Sequence, residues 1–420
     1  MKPAQTHETI EVAALTVGML IHLDGGWMSH PFPRSSFKIS SADQIATLRS
    51  LGLERVRWSP EEAEPSATKE APAAAPLVER RGSVADRRRR LAPASESAPS
   101  QLLTASERQF GEAAKASKKV FDRVVEHPAE ARAAAQALTR QLVDKMAGTE
   151  DMCIQLLSEG TGDRVCAHAV NVSVISLLMG RSFGLGETDM LDLGMGSLLH
   201  DVGKAEIPER YRHREDHFNM AERRLYENHV AAGMGHAQRM ELSTGASLIL
   251  EQHHEYSDGS GFPQGLSTDR TSTLARIVSL VNAYDNLCNP ANPGKAVTPH
   301  EAVAHLFTQN HKQFDTAILG AFIKMMGVYP AGSVVQLTDD RYALVVGVIS
   351  SRTLRPRVLV HDPRVPRDEA AILDLQTVSG LGIRRSLKPS SLPEAVLSYL
   401  SPRTRLNYFF EPAGETRSPA

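Results

Sequence analysis

Cysteine is scarce in this chain of 420 residues, with three in all, Cys153, Cys166 and Cys288. They show no Cys-x-x-Cys spacing and their number is odd, which argues against a disulfide framework or a thiolate zinc site and for reduced thiols in the cytoplasm. Long apolar runs are missing too. None approaches the ~20 residues of a membrane span. Val12–Ile21 is apolar but lacks a basic leader and runs into His22-Leu23-Asp24, so it reads as a buried strand rather than a targeting segment. Charge of one sign is also absent. A net charge of -2 gives no argument for bulk nucleic acid or a membrane surface as partner. What remains, 41% apolar and 23% charged residues, is ordinary for a globular protein of two or three domains.

Histidine is unevenly spread. Eight of the 16 lie between His168 and His254. In order the chain presents His168, His200-Asp201-Val202-Gly203-Lys204, His229, His253-His254-Glu255 and Asp258-Gly259-Ser260-Gly261-Phe262-Pro263. Neutral imidazole is the commonest protein metal ligand, and a carboxylate among imidazoles can bridge two cations. Burying that many imidazoles without a cation or partner is costly. The pattern reads as a hydrolytic site with more than one metal.

The periodicities divide the chain into four parts. Residues 1–60 read as a small α/β module, with strands near Val17–Leu23 and Glu54–Trp58 and a helix from Ser40-Ser41 to Leu51. Its Trp27, Trp58, His22 and His30 suggest a ligand pocket, but core and turn positions explain them more simply. Residues 61–103, rich in Pro, Ala, Ser, Glu and Arg, read as a disordered linker. Residues 104–330 are helical, opening on a candidate capping box, Thr104-Ala105-Ser106-Glu107, and including helices over Met220–Met240 and Thr244–Tyr256. Residues 331–420 read as a small β-rich appendage, with strands at Val334–Leu337, Ala343–Ile349 and Arg357–His361 and a short helix at Leu392–Leu400. The expected fold class is mainly α.

The ordered motifs resemble the HD-GYP family of the HD phosphohydrolases over roughly residues 105–330, with Gly261-Phe262-Pro263 standing for the signature Gly-Tyr-Pro. Residues 8–60 resemble the domain of unknown function that precedes some HD-GYP domains, through Leu20–Trp27, His30-Pro31-Phe32 and Val56-Arg57-Trp58. The resemblance implies a cytoplasmic cyclic di-GMP phosphodiesterase holding two divalent metals, Fe or Mn ahead of Ni or Zn. A metal-activated hydroxide would open the phosphodiester to pGpG, with GMP as a further product. Two alternatives stay open: a non-catalytic receptor for cyclic di-GMP or a protein, and a phosphohydrolase of another nucleotide.

Carried over by position, Asp201 bridges the ions. His168 and His200 serve one ion, and His229, His253 and His254 the other. Lys204 contacts the phosphate and shares the catalytic role with Asp201. Asn282 falls where the family has a ligand aspartate, and Asp285, one helical turn on, is the competing candidate. Adjacent residues on a helix diverge, so His253 and His254 are expected to face different groups. The substrate-binding candidates are Lys204, Asp258, Gly261, Phe262, Pro263, Arg214 and Lys295, with two equal readings for Asp258: orienting a ligand or protonating the leaving oxygen, or only starting the turn. The Gly261-Phe262-Pro263 loop is also a candidate contact for a protein such as a diguanylate cyclase domain, and a homodimer is left open. Two further departures stand out. Ala291-Asn292-Pro293-Gly294 replaces a usual Arg-Pro-Tyr-Arg. Arg164 replaces a glutamate that in some members helps hold a third metal, which argues against a third ion here.

Overall fold

The computed structural model describes residues 8–22, 36–39, 45, 48–49, 55–59, 97–148, 151–157, 163–213, 217–370, 372–402 and 405–413. The chain divides into two units, residues 1–102 and 103–420. In the first, β1 (Glu8–Glu11), β2 (Leu20–His22), β3 (Ser36–Lys38) and β4 (Arg55–Ser59) form a sheet in the order β1-β4-β2-β3. Ile21 and Val56 are buried, as alternation across a half-covered sheet requires. Leu48, from the expected helix, is buried as well. Trp27 and His30 lie outside the described residues, as does most of the expected linker.

The second unit is mainly helical, as the periodicities imply. The helix α1 (Ser97–Arg123), all but its first residues in this unit, starts ahead of the expected box at Thr104. Pro99 falls in its first turn, where a missing N–H costs nothing, so the helix can begin there. α2 (Pro128–Met146) follows, then α3 (Arg164–Ser182), α4 (Glu187–Leu199), α5 (Met220–Glu227), α6 (His229–Arg239), α7 (Thr244–Gln252), α8 (Thr273–Cys288), α9 (Pro299–Thr308) and α10 (Thr316–Met326). α3 is the central element. Asp163 caps it by accepting from Val165 N and Cys166 N, and nearly every residue from Cys166 to Gly180 is buried. Among the described residues it is the one helix long and apolar enough to cross a membrane, and 78% of that window is buried inside the fold.

The C-terminal strands form a sheet packed on the helices, and it takes in one strand from among them. β5 (Met152–Leu156), between α2 and α3, has no counterpart in the sequence reading. All five of its residues are buried, so period-two alternation is absent and the strand is invisible to a pattern search. It joins β6 (Val334–Leu337), β7 (Tyr342–Ile349), β8 (Arg357–Val360), β9 (Ile372–Asp374), β10 (Ile383–Leu387) and β11 (Tyr408–Pro412) in one seven-stranded antiparallel sheet. β11 pairs with β5 along its whole length, Tyr408 opposite Leu156 and Pro412 opposite Met152. The buried Tyr408, Phe409 and Phe410 enter the core shared with the helices.

A chain ending at Pro402 loses β11 and should be insoluble or free of metal. A soluble truncated chain with full metal content would show the C-terminal strands to be separable. The milder Phe410→Ala should cost about 3–5 kcal/mol in urea unfolding, as for other buried phenylalanines.

Candidate metal centre

Helix ends aim the imidazoles at one point. His200 directly follows α4, and Asp201 turns the chain into a short 3-10 segment, Val202–Glu206. The single helix expected over Met220–Met240 is broken between α5 and α6. The Tyr226 carbonyl there accepts from the His229 ring, Nδ1 to O at 2.5 Å. α7 stops at Gln252, short of the expected Tyr256. His253 and His254 therefore escape helical divergence, and their ring centroids lie 4.2 Å apart. Gly203 makes the packing possible: a Cβ there would sit 2.0 Å from His229 O and 2.4 Å from Gly233 N.

Four Nδ1 atoms face pure acceptors, so each must donate, and in the neutral ring that leaves the lone pair on Nε2. The acceptors are Ser197 O for His200 (2.7 Å), Tyr226 O for His229, Leu250 O for His253 (3.0 Å) and Asp285 Oδ2 for His168 (2.6 Å). The lone pairs converge. His168 and His200 Nε2 lie 3.2 Å apart, and His229 and His253 Nε2 3.4 Å apart. Asp201 divides between them: Oδ2 is 3.6 and 3.4 Å from the first pair, Oδ1 3.6 and 3.8 Å from the second. Lys204 Nζ donates to Oδ2 at 2.7 Å, whereas Oδ1 is buried with no hydrogen-bond donor. Facing lone pairs and an orphaned carboxylate oxygen are unfavourable together unless cations lie between them. Two groups among the described residues have donor atoms close enough for an ion: His168, His200 and Asp201; and Asp201, His229, His253 and His254.

The electrostatics suit ligation. Burial lowers the pKa of His200 and His254 and takes His229 down to about 3, so these rings are neutral at pH 7. Burial alone would raise the Asp201 pKa, but Lys204 and the nearby histidines outweigh it and hold it well below the usual carboxylate range. Burial opposes the charge on Lys204, and Asp201 more than restores it.

The remaining candidates part company. The Asn282 side-chain oxygen accepts from Asn286 Nδ2 at 2.7 Å, and no hydrogen bond among the described residues ties it to the imidazoles. Asp285 is fully buried; beyond His168 it accepts from Asn171 and Asn289, both at 2.9 Å. It orients an imidazole, a task sequence spacing did not single out. Asp258 is exposed and its oxygen accepts from Ser260 N and Oγ, which gives it the turn role. Gly261 is required where a Cβ would meet His254 O at 2.4 Å. Phe262 stacks on His254 with centroids 4.4 Å apart, so its ring walls the centre, while Pro263 is exposed. Lys295 is exposed and outside the adjoining cavity; Arg214 lies outside the described residues. That cavity is lined by His168, Asp201 and Lys204 together with Arg164, Arg212 and Arg405.

The HD domain family matches residues 130–318, which contain every imidazole of this centre. That part of the chain is an HD domain by likeness of sequence. A domain of unknown function, DUF3391, matches residues 7–135. The chain is 27% identical over 372 residues to cyclic di-GMP phosphodiesterase PA4108 of Pseudomonas aeruginosa, covering 84% of each protein. It is 29% identical over 161 residues to the cyclic di-GMP phosphodiesterase response regulator RpfG of Xanthomonas campestris, 38% of this chain and 42% of that protein. It is 25% identical over 164 residues to 3'3'-cGAMP-specific phosphodiesterase 3 of Vibrio cholerae, 39% of this chain and 35% of that protein. Among solved structures, Bd1817, an HDG"Y"P protein from Bdellovibrio bacteriovorus, is similar at a TM-score of 0.43 and 18% identity, over 76% of this chain and 98% of that one.

Two outcomes follow for this HD domain. Asp285→Asn has one acceptor oxygen for three donors, so it should weaken one metal about 10–100-fold, read by metal titration; unchanged affinity would remove Asp285 from the site's support. For the metal-stripped chain, the His229 pKa is 6.5 unfolded and about 3 folded. The unfolded state therefore binds the extra proton, and stability present above pH 6.5 drains away as pH falls towards 3. Urea unfolding should show a loss of about 2 kcal/mol between pH 7 and pH 5 from such a histidine. A flat profile would mean the ring is solvated.

Proposed function

We propose that this chain is a metal-dependent cyclic di-GMP phosphodiesterase that opens the ring to pGpG. The carrying observation is the Asp201 carboxylate, split between two groups of converging imidazoles beside a cavity that cations help to line. Asp201 would bridge the two ions, with His168 and His200 on one and His229, His253 and His254 on the other. An all nitrogen and oxygen donor set suits Fe or Mn and tolerates Ni or Zn. A bound ion pair supplies an activated water and neutralises charge on the phosphoryl oxygens.

The protein's own contribution is preorganisation. Nδ1 bonds to carbonyls at His200, His229 and His253 and to Asp285 at His168 hold these four rings with Nε2 facing the centre, so little reorganises when substrate arrives. Lys204, 2.7 Å from Asp201, keeps a point charge at the cavity edge for a phosphate oxygen. Phe262 over His254 shields that side of the centre from water. The relatives named above act on cyclic di-GMP and, in one case, on 3'3'-cGAMP, so a cyclic dinucleotide is the substrate class these comparisons support.

Full-length protein should be assayed anaerobically with Mn or Fe on cyclic di-GMP and 3'3'-cGAMP in parallel, with products separated by chromatography. The expected product is pGpG, with cyclic di-GMP preferred. Asp201→Ala should lose both metals and all turnover. Metal-loaded wild-type protein that turns over neither compound overturns the enzymatic reading; tight binding without turnover would point to a receptor.

A further inference from the structure

Glu255 directly follows the paired imidazoles His253 and His254, and ligation does not account for it. It is 3% exposed, and no group of candidate ion ligands among the described residues includes it. Its two oxygens divide instead between two backbone donors. Oε1 accepts from Gln264 N at 2.7 Å and Oε2 from Leu266 N at 2.8 Å. We propose that Glu255 is a positioning residue for the metal centre: by fastening the loop 257–266 it holds Phe262 against His254 and so fixes that imidazole. This deepens the phosphodiesterase reading and rests on its assignment of His254 as a ligand.

His254 needs such support where the other rings do not. His168, His200, His229 and His253 are each oriented by an acceptor at Nδ1. Among the described residues the His254 ring has no bond of that kind; its hydrogen-bond contact is at Nε2, 3.4 Å from Tyr226 Oη. A contact that long orients a ring weakly. The face of the ring is covered by Phe262, with centroids 4.4 Å apart and planes inclined by 23°. Packing therefore sets the orientation of His254, and the position of Phe262 sets the packing.

Phe262 is in turn held from both sides. Its N–H donates to His254 O at 3.1 Å. A Cβ at Gly261 would meet Glu255 Cα at 2.6 Å, so the loop backbone passes close against the Glu255 main chain. Beyond Phe262 the loop is attached through Gln264 N and Leu266 N to the Glu255 carboxylate. The Glu255 carbonyl accepts from Ser279 Oγ at 3.2 Å, which ties this anchor to α8. Two separate backbone N–H groups need two acceptor oxygens, and a buried carboxylate supplies both in charge-assisted bonds. An amide of the same shape has one acceptor and turns an NH2 group towards the other donor.

Calorimetric titration of the metal-stripped full chain with Mn(II), beside hydrogen exchange across residues 257–266 and urea unfolding, tests the role. Glu255→Gln should speed exchange in the segment holding Gln264 and Leu266. It should weaken one ion about tenfold and leave the other within about twofold of wild type. Phe262→Ala should weaken the same ion by a similar factor. The double variant should be no weaker than either single one, because both act through one contact. A Glu255→Gln chain that loses stability in urea yet binds both ions like wild type marks a structural role and overturns the proposal. Unchanged exchange in that segment, or additive losses in the double variant, also overturns it. Glu255→Asp, one methylene shorter, should show the same selectivity for one ion. If neither Glu255 variant folds, Phe262→Ala decides: selective loss of one ion supports the proposal, and unchanged affinity overturns it. Wild-type protein that binds no Mn(II) overturns the phosphodiesterase reading and this role together. Wild-type protein that binds two ions without opening cyclic di-GMP overturns the phosphodiesterase reading alone, and the titrations still decide the role of Glu255.

Discussion

The buried charge of Asp201 is the constraint from which the rest of the helical unit can be understood. A carboxylate 5% exposed, with one oxygen lacking any donor, is tolerable only where positive charge is fixed around it. Lys204 provides part of that charge from three residues away, and the converging imidazoles provide a seat for the rest. Because the rings must present lone pairs, their other nitrogens must donate elsewhere. That requirement accounts for where α4 and α7 stop and why α5 and α6 are separate helices. Each stop frees the carbonyl or turns the ring that the geometry demands.

Among the four rings bonded through Nδ1, His168 alone relies there on a side chain, and its support runs across the whole unit. Asp285 holds its Nδ1, Asn171 and Asn289 hold Asp285, and the same two amides grip the Leu406 backbone 235 and 117 residues away. Tyr408 N adds a bond to Asn171 Oδ1 at 3.0 Å. The C-terminal strand is therefore part of the centre's scaffold. Displacing β11 would withdraw the Leu406 carbonyl from both amides and loosen the carboxylate that fixes an imidazole.

The side chains that converge on Asp201 were legible in the sequence because they travel in short motifs, and a local order of His, Asp, Gly and Lys survives translation into three dimensions. The mainly helical class followed from apolar periodicity in the same way. What escaped was non-local. β5 is buried on both faces and shows no alternation, so only its partners β7 and β11 identify it. The helix breaks before His229 and after Gln252 come from a ring bonding a carbonyl and from an early stop, and no propensity scale contains those tertiary demands. Asn282 was singled out by position, but Asn286, four residues on, occupies its oxygen. Asp285 and Asn289 gained their roles from contacts with α3 and Leu406. Arg405 stands in a segment with no pattern at all.

Arg164 illustrates how one substitution redirects a site's electrostatics. A carboxylate at that position adds negative charge beside His168 and favours a further cation. A guanidinium reverses the sign, and through its bonds to Asn289 O and Ala291 O it also fixes the loop after α8. That substitution puts a cation in the lining next to the Asp201 cluster, where its charge is felt at Lys204 and at His213. Charge of that sign, held rigidly at the mouth of a low-dielectric cavity, acts on whatever approaches before any metal contact forms.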